Sequence, residues 1–242
     1  MKYAILASGS KGNCCVLISQ DTQIVIDCGM TQKYLKAGFQ TIGVDIMGVD
    51  ALLITHDHSD HSKQVKLFKD RKIYSPSPLD YEATLITPYQ AFMINHVLVT
   101  PIVTSHDAEH SVGYVFEDGI SKLVYVTDTG YIRDQDLEII KHADHYILES
   151  NHDPELLMRT ARPYYIKQRI LSDTGHLSND EAGRILSKVI SEKTQSITLA
   201  HMSLEANTVD LAISTIRRHI RKDHITLKVA KQFEIVHGGA IE

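Results

Sequence analysis

The apolar positions of the chain fall into two rhythms. Short, nearly continuous runs at Tyr3–Ala7, Cys14–Ile18, Gln23–Asp27, Asp50–Thr55, His145–Glu149 and Ile197–Ala200 have the length and content of buried strands. Cys14–Ile18 and Gln23–Asp27 bracket the turn signal at Ser19–Asp21 and read as a hairpin. Lys72–Tyr74 is short and extended, and stops at the breakers Ser75-Pro76-Ser77-Pro78. His96–Thr104 alternates, and Val112–Phe116 and Lys122–Thr127 make a second hairpin across Glu117-Asp118-Gly119. Thr226–Val229 and Phe233–Val236 complete the strands. Helical spacing runs through Thr31–Ala37, Ser62–Lys69, Asp134–His142 and Thr208–Ile220. Another helix starts at Asn179, acidic in its first turn, with Ala182, Ile185, Leu186, Val189 and Ile190 on one face. Strands come first and then alternate with helices, twice over. That order predicts two sheets packed face to face with helices outside, a single four-layered α/β domain over residues 1–242 in two similar halves, about 1–118 and 119–242.

Composition narrows the partners more than the fold. A net charge of −5 argues against a surface coated in cations for non-specific nucleic-acid binding, but not against a local basic patch. Cys14, Cys15 and Cys28 are odd in number and two are adjacent, so they form no disulfide framework and suit a reducing compartment. The N-terminus lacks the apolar run of a signal sequence, and no stretch nears the ~20 apolar residues of a membrane span. A cytoplasmic protein is expected, with its oligomeric state open.

Fourteen histidines are many, and they are not scattered. Thr55-His56-Asp57-His58-Ser59-Asp60-His61 follows the apolar run Ala51–Ile54 directly. An inert, solvated loop has no need of that density of ligating groups. If the backbone is extended, His56 and His58 point the same way and clasp one ion, while Asp60 and His61 begin the next turn and face another. Asp27, His106, Asp128, His152 and His201 also sit at or just past the ends of expected strands, where neighbouring strands bring distant residues together. His106 and His201 are available as further imidazoles, and Asp128 can give one oxygen to each ion. Two ions a few ångströms apart suit in-line attack at phosphorus.

The cluster resembles the THxHxDH signature of the metallo-β-lactamase superfamily, with Asp27, His106, Asp128 and His201 at its other motif positions. Leu6–Asn13, Thr127–Tyr131, Glu149–Asp153, Arg169–Asp173 and Gly175–Ser178 are similar to its bacterial YycJ/WalJ type. The resemblance implies an αββα sandwich with a dinuclear site at its edge, binding zinc or manganese, with iron a third candidate. It assigns His56, His58 and His106 to one ion and Asp60, His61 and His201 to the other, with Asp128 bridging. It gives Asp27 the role of orienting a ligand histidine or the Asp60–His61 turn. A hydroxide between the ions is the implied nucleophile, and Asp60 the simplest acceptor of its proton. The implied activity is that of a nuclease or phosphodiesterase, for this type a 5′-to-3′ DNA exonuclease.

The fold also hosts lactam and thioester hydrolysis, so the branch must come from the site. Asp128 stands where the β-lactamases proper have cysteine. His152 and His176 lie in loops that resemble phosphate-contacting loops of tRNA-processing relatives, and either is a candidate to stabilise charge or protonate a leaving oxygen. Ser178 and Asn179 offer donors at a helix start. Arg159, Arg162, Lys167 and Arg169, interleaved with Tyr164 and Tyr165, form a basic segment suited to nucleic acid. DNA is the expected substrate. A cyclic nucleotide or other small phosphodiester is the alternative within the chemistry. A thioesterase and a non-catalytic metal-binding regulatory module are the alternatives outside it.

Overall fold

A computed structural model describes residues 1–239; the last three residues of the expected domain lie outside the described ones. Among the described residues, fourteen strands form two seven-stranded sheets. The first, in the order β14-β1-β2-β3-β4-β5-β6, comprises Lys2–Ala7 (β1), Cys14–Ser19 (β2), Thr22–Ile26 (β3), Ala51–Leu53 (β4), Lys72–Ser75 (β5), Thr84–Leu85 (β6) and Val236–Gly239 (β14). The second, in the order β13-β12-β11-β10-β9-β8-β7, comprises Phe92–Ile94 (β7), Val97–Val103 (β8), Val112–Glu117 (β9), Lys122–Val126 (β10), His145–Glu149 (β11), Ser196–Ala200 (β12) and Thr226–Val229 (β13). Both sheets are mixed: antiparallel hairpins pass into parallel pairs at β3–β4 and at β10–β11.

The period-two alternation of each strand separates three apolar layers. Tyr3, Ile5, Leu17, Ile26 and Leu53 point inward and meet Val99, Tyr114, Phe116, Tyr125 and Ile147 from the other sheet. Leu6, Val16, Val25 and Leu52 point outward, against Leu35 and Phe39 of the helix Gln32–Thr41 (α1) and against Phe68. On the far side Val124, Tyr146, Leu148 and Leu199 pack against Asp134–Ile140 (α3), Asn179–Val189 (α6) and Val209–His219 (α7). The result is the expected αββα sandwich. Each fully buried large apolar side chain contributes roughly 1.5–3 kcal/mol.

Several boundaries differ from those read in the sequence. The sheets change over between β6 and β7, near residue 90, and β14 returns to the first sheet, so the halves do not divide at residue 118. The expected strand Asp50–Thr55 keeps only Ala51–Leu53 in the ladder. Ser62–Lys69 is not one helix: Ser59–Ser62 (α2) and a 3₁₀ turn at Val65–Phe68 replace it. The reason is local. The Asp60 carbonyl accepts from Asn13 N at 2.8 Å, while Gln64 N donates to Cys28 O at 3.0 Å, so the bond that would continue the helix is diverted on both sides. The expected strand Phe233–Val236 begins only at Val236, opposite Ile5, with Phe233 exposed. The basic segment 159–169 joins the end of one short helix, Pro154–Arg159 (α4), to most of another, Tyr164–Ile170 (α5).

Candidate metal centre and active-site cleft

The strand ends that concentrate the chemistry lie along one edge of the sandwich. Past β3, β10 and β12 the chain turns at Asp27, Asp128 and His201, all in the left-handed region at φ 59°, 54° and 53°. Non-glycine residues adopt it at a cost, Asp and His more readily than most, and such strain gathers at functional sites. Beneath the first sheet's contribution, Gly29 is essential to the approach. A Cβ there would stand 1.7 Å from Asp60 O, so only glycine lets the Asp60–His61 turn settle against the strand end.

Hydrogen-bond polarity decides which ring atoms are free. Asp27 is fully buried and its Oδ2 lies 2.8 Å from His61 Nδ1. A carboxylate only accepts, so Nδ1 carries a proton and Nε2 is the ring atom left to face the cluster. Thr55 donates its hydroxyl to Asp27 at 3.0–3.1 Å and stands 3.1 Å from His56 Nδ1. With its one proton spent on Asp27, Thr55 accepts from His56, which frees His56 Nε2 likewise. One carboxylate thus orients two imidazoles. On the second sheet Glu149 plays the corresponding part: its Oε1 accepts from Nδ1 of His201 at 2.9 Å and of His176 at 2.8 Å. Its Oε2 accepts from the backbone of Thr129 at 3.0 Å and Leu177 at 3.1 Å. His106 Nδ1 faces Gly175 O at 3.4 Å.

The freed atoms converge. Donor atoms of His56, His58 and His106 lie within 4.8 Å of one another, as do those of Asp60, His61 and His201, and those of His56, His61 and Asp128. Asp128 Oδ2 is 3.3 Å from His61 Nε2 and its Oδ1 3.3 Å from His201 Nδ1. His56 Nε2, His201 Nε2 and Asp128 Oδ2 are buried without a hydrogen-bond partner, a costly arrangement that a divalent cation would satisfy. Asp128, Glu149, His176 and His201 also approach within 4.8 Å. There, however, both imidazoles present Nδ1–H to Glu149, and an N–H is no ligand.

The electrostatics follow. Burial lowers His56 and His106, keeping them neutral and able to bind a cation. Burial would raise Asp128, but His201, His61 and His56 outweigh it and hold the carboxyl well below its usual range. Burial also opposes the charge on Glu149, His61 and His176. His176 and His201 nevertheless pull Glu149 down to about 2, Asp128 and Asp27 hold His61 up at about 9, and Glu149 and Asp128 hold His176 at about 9. Asp27 is pushed up by burial against the pull of His61 and Thr55.

A cleft of about 380 Å³ opens over this cluster, lined by His58, Asp60, His106, Asp128 and His201 together with Asp107, Arg169, Thr174 and His176. The other expected substrate residues are placed elsewhere. His152 is 1% exposed, is not part of the cleft's lining, and is pushed by burial down to about 4. The start of α6 is no anion seat. Ser178, its N-cap, and Glu181 close a capping box, Ser178 N donates to Glu181 and Asn179 N to His152 O, and the buried Asn179 side chain binds Ser150 and Asn207. In the basic segment Arg159 pairs with Glu155 and Arg162 with Glu205. Lys167 is buried and ties down the end of α4 through Met158 O and Thr160 O, both at 2.8 Å. Arg169 alone reaches the cleft, where it pairs with Asp107 at 2.7 Å.

Sequence pattern alone does not single out Glu149, Thr55, Asp107 or Asn13. Glu149 did carry a signal, an acid closing the apolar strand His145–Glu149 beside the other ligand-bearing strand ends. Asn13 donates its amide to the Asp60 carbonyl at 3.3 Å and stands 2.9 Å from His61 Nε2.

Residues 22–202 match the family model described as the beta-lactamase superfamily domain. The chain is 32% identical to exodeoxyribonuclease YycJ of Bacillus anthracis, over 97% of this chain and 94% of that protein. It is 32% identical to exodeoxyribonuclease WalJ of Streptococcus pneumoniae, over 89% of this chain and 86% of that protein. Among solved structures, the metallo-beta-lactamase fold protein YhfI of Bacillus subtilis shares the fold with a TM-score of 0.74 at 18% identity, over 98% of this chain and all of that one.

Proposed function

The chain belongs to the metallo-β-lactamase superfamily, and on that premise we propose that it is a dinuclear metal-dependent phosphodiesterase acting on DNA as a 5′-to-3′ exonuclease in the cytoplasm. The observation that carries the reading is the Glu149–His176 pair, an imidazole backed by a carboxylate on the wall of the cleft that also holds His58, Asp60, His106, Asp128 and His201, the groups that could hold metal ions. Likeness to two exodeoxyribonucleases over most of the chain supports the substrate.

In this reading His56, His58 and His106 would hold one ion and Asp60, His61 and His201 the other, with Asp128, which faces both groups, contributing to each. Zinc and manganese suit imidazole and carboxylate donors, with iron the third candidate. Bound there, the ions supply Lewis acidity and lower the pKa of water, and so the nucleophile. Asp27 and Glu149 keep the ligand imidazoles in the tautomer that offers Nε2. Arg169 turns from Asp107 to a non-bridging phosphate oxygen. Asp60 accepts the proton of the attacking water. His176, with Glu149 behind its Nδ1–H, donates its Nε2 proton to the departing sugar oxygen.

Hydrolysis of a small phosphodiester is the second reading. The pairing of Arg159 and Arg162 with acids and the burial of Lys167 favour it, because they leave little basic track for a long polymer. Linear duplex DNA, single-stranded DNA and 3′,5′-cyclic nucleotides offered with Mn²⁺ or Zn²⁺ separate the two. Degradation of DNA from its ends is the expected result, and turnover of the cyclic substrates alone would overturn the nuclease reading.

A further inference from the structure

We propose that a second cavity, adjoining the cleft across His106, receives the nucleobase of the nucleotide whose phosphate lies in the cleft. The inference rests on the phosphodiesterase reading and adds a recognition site to it. The cavity measures about 460 Å³, within the ~300–1,000 Å³ typical of small-molecule sites. His106 lines both spaces, so a group held at the metal centre has this cavity as an immediate neighbour. Its apolar surface comes from Pro76, Ile86, Pro88, Val103, Ala108 and Val112. Such surfaces suit the faces of a flat heterocycle.

Four of its polar side chains are unengaged. Thr104 and Ser111 satisfy each other at 2.6 Å. Among the described residues, the side chains of Thr87, Ser105, Glu109 and His110 make no hydrogen bond within the protein, although all four line the cavity. They offer donors and acceptors to the edge of a base. Charge assigns the two halves of a nucleotide. No lysine or arginine lines the cavity, and Glu109 would repel a phosphate, whereas the cleft holds Arg169, His176 and the cation-ligating cluster. The anion therefore belongs in the cleft and the neutral base in the cavity.

The test is equilibrium binding to the metal-loaded protein of deoxyadenosine 5′-monophosphate and of 2-deoxyribose 5-phosphate, which lacks the base. Thr87→Trp serves as the blocking variant: Thr87 is exposed, remote in sequence from every proposed metal ligand, and placed to fill the cavity. Burying one face of a base is worth about tenfold in affinity, so the wild-type protein should prefer the nucleotide by about that factor. Thr87→Trp should bind the two compounds equally, with unchanged metal content and unchanged affinity for deoxyribose phosphate. Equal affinities in the wild type, or a preference that survives Thr87→Trp, overturns the proposal. DNA degradation by the same preparations keeps the two readings apart. Degradation without a base preference sinks the cavity alone; a base preference without degradation sinks the DNA substrate and leaves the cavity as a nucleotide site.

Discussion

Glu149→Gln exchanges one oxygen for an NH₂ at almost constant volume, so its effects reduce to charge and hydrogen-bond polarity. The carboxylate accepts from two imidazoles through Oε1 and from two backbone amides through Oε2, all at 2.8–3.1 Å. A glutamine can accept at one end only. If its oxygen serves Thr129 and Leu177, its NH₂ confronts Nδ1 of both His176 and His201. Each ring must then surrender Nδ1–H and carry its proton on Nε2. For His201 this puts an N–H where a lone pair had been free, and loss of such a supporting carboxylate typically costs about 10–100-fold in metal affinity. There is a stability cost as well. His176 and His201 hold Glu149 below its ordinary 4.5 against the effect of burial, so its contribution is complete above pH 4.5 and is lost as pH falls through about 2. Metal-free wild-type and variant proteins, titrated with Zn²⁺ against a chromogenic chelator and unfolded in urea, report both quantities. Unchanged affinity for two ions would refute the tautomer argument, and unchanged urea stability would refute the assignment of a buried charge.

Asp128→Ala should abolish hydrolysis and lower metal content, since its two oxygens face His61 and His201; full occupancy by elemental analysis would count against its bridging place. His176→Ala should keep the metals while turnover falls about 10²–10⁴-fold, and metal loss instead would make His176 a ligand. Gly29→Ala should destabilise by about 3 kcal/mol or more in thermal or urea unfolding, because the new methyl collides with the Asp60 carbonyl; a wild-type melting curve would contradict the close approach. His145, hydrogen-bonded to Ser196 and far along β11 from Glu149, is pushed by burial from 6.5 to about 4. The unfolded chain therefore takes up a proton between those values that the folded one refuses. Stability should fall by up to about 2 kcal/mol as pH drops from 6.5 to 4, and His145→Asn should flatten that slope in urea titrations at each pH.

How far the site can be read from the sequence depends on the range of the interactions. The cluster from His56 to His61 is local, and the strands that carry distant donors end close to it, so donor atoms of His56, His58 and His106, and of Asp60, His61 and His201, lie within 4.8 Å of one another. Glu149 escaped notice because its partners His176 and His201 lie 27 and 52 residues away, and nothing near it in sequence declares a buried charge. The basic segment misled for the opposite reason. Its density of cations is real, but Glu205 answers Arg162 from 43 residues away, and the turn between α4 and α5 folds the Lys167 ammonium onto carbonyl oxygens. Pattern likewise cannot see Asn13 taking the Asp60 carbonyl, which ends α2 early. The short edge strands β6 and β7 carry too few residues for any periodicity to register.

The cluster straddles the seam between the two sheets: Asp60 and His61 follow β4 of the first, while Asp128 and His201 follow β10 and β12 of the second. Any ion shared among them would act as a rivet through both layers. Ligand binding confined to the folded state adds free energy to it, about 4 kcal/mol at a free concentration a thousand times the dissociation constant. The cohesion of the sandwich would then be set partly by the cell's supply of free metal, and starvation for metal would loosen the fold as well as silence the chemistry.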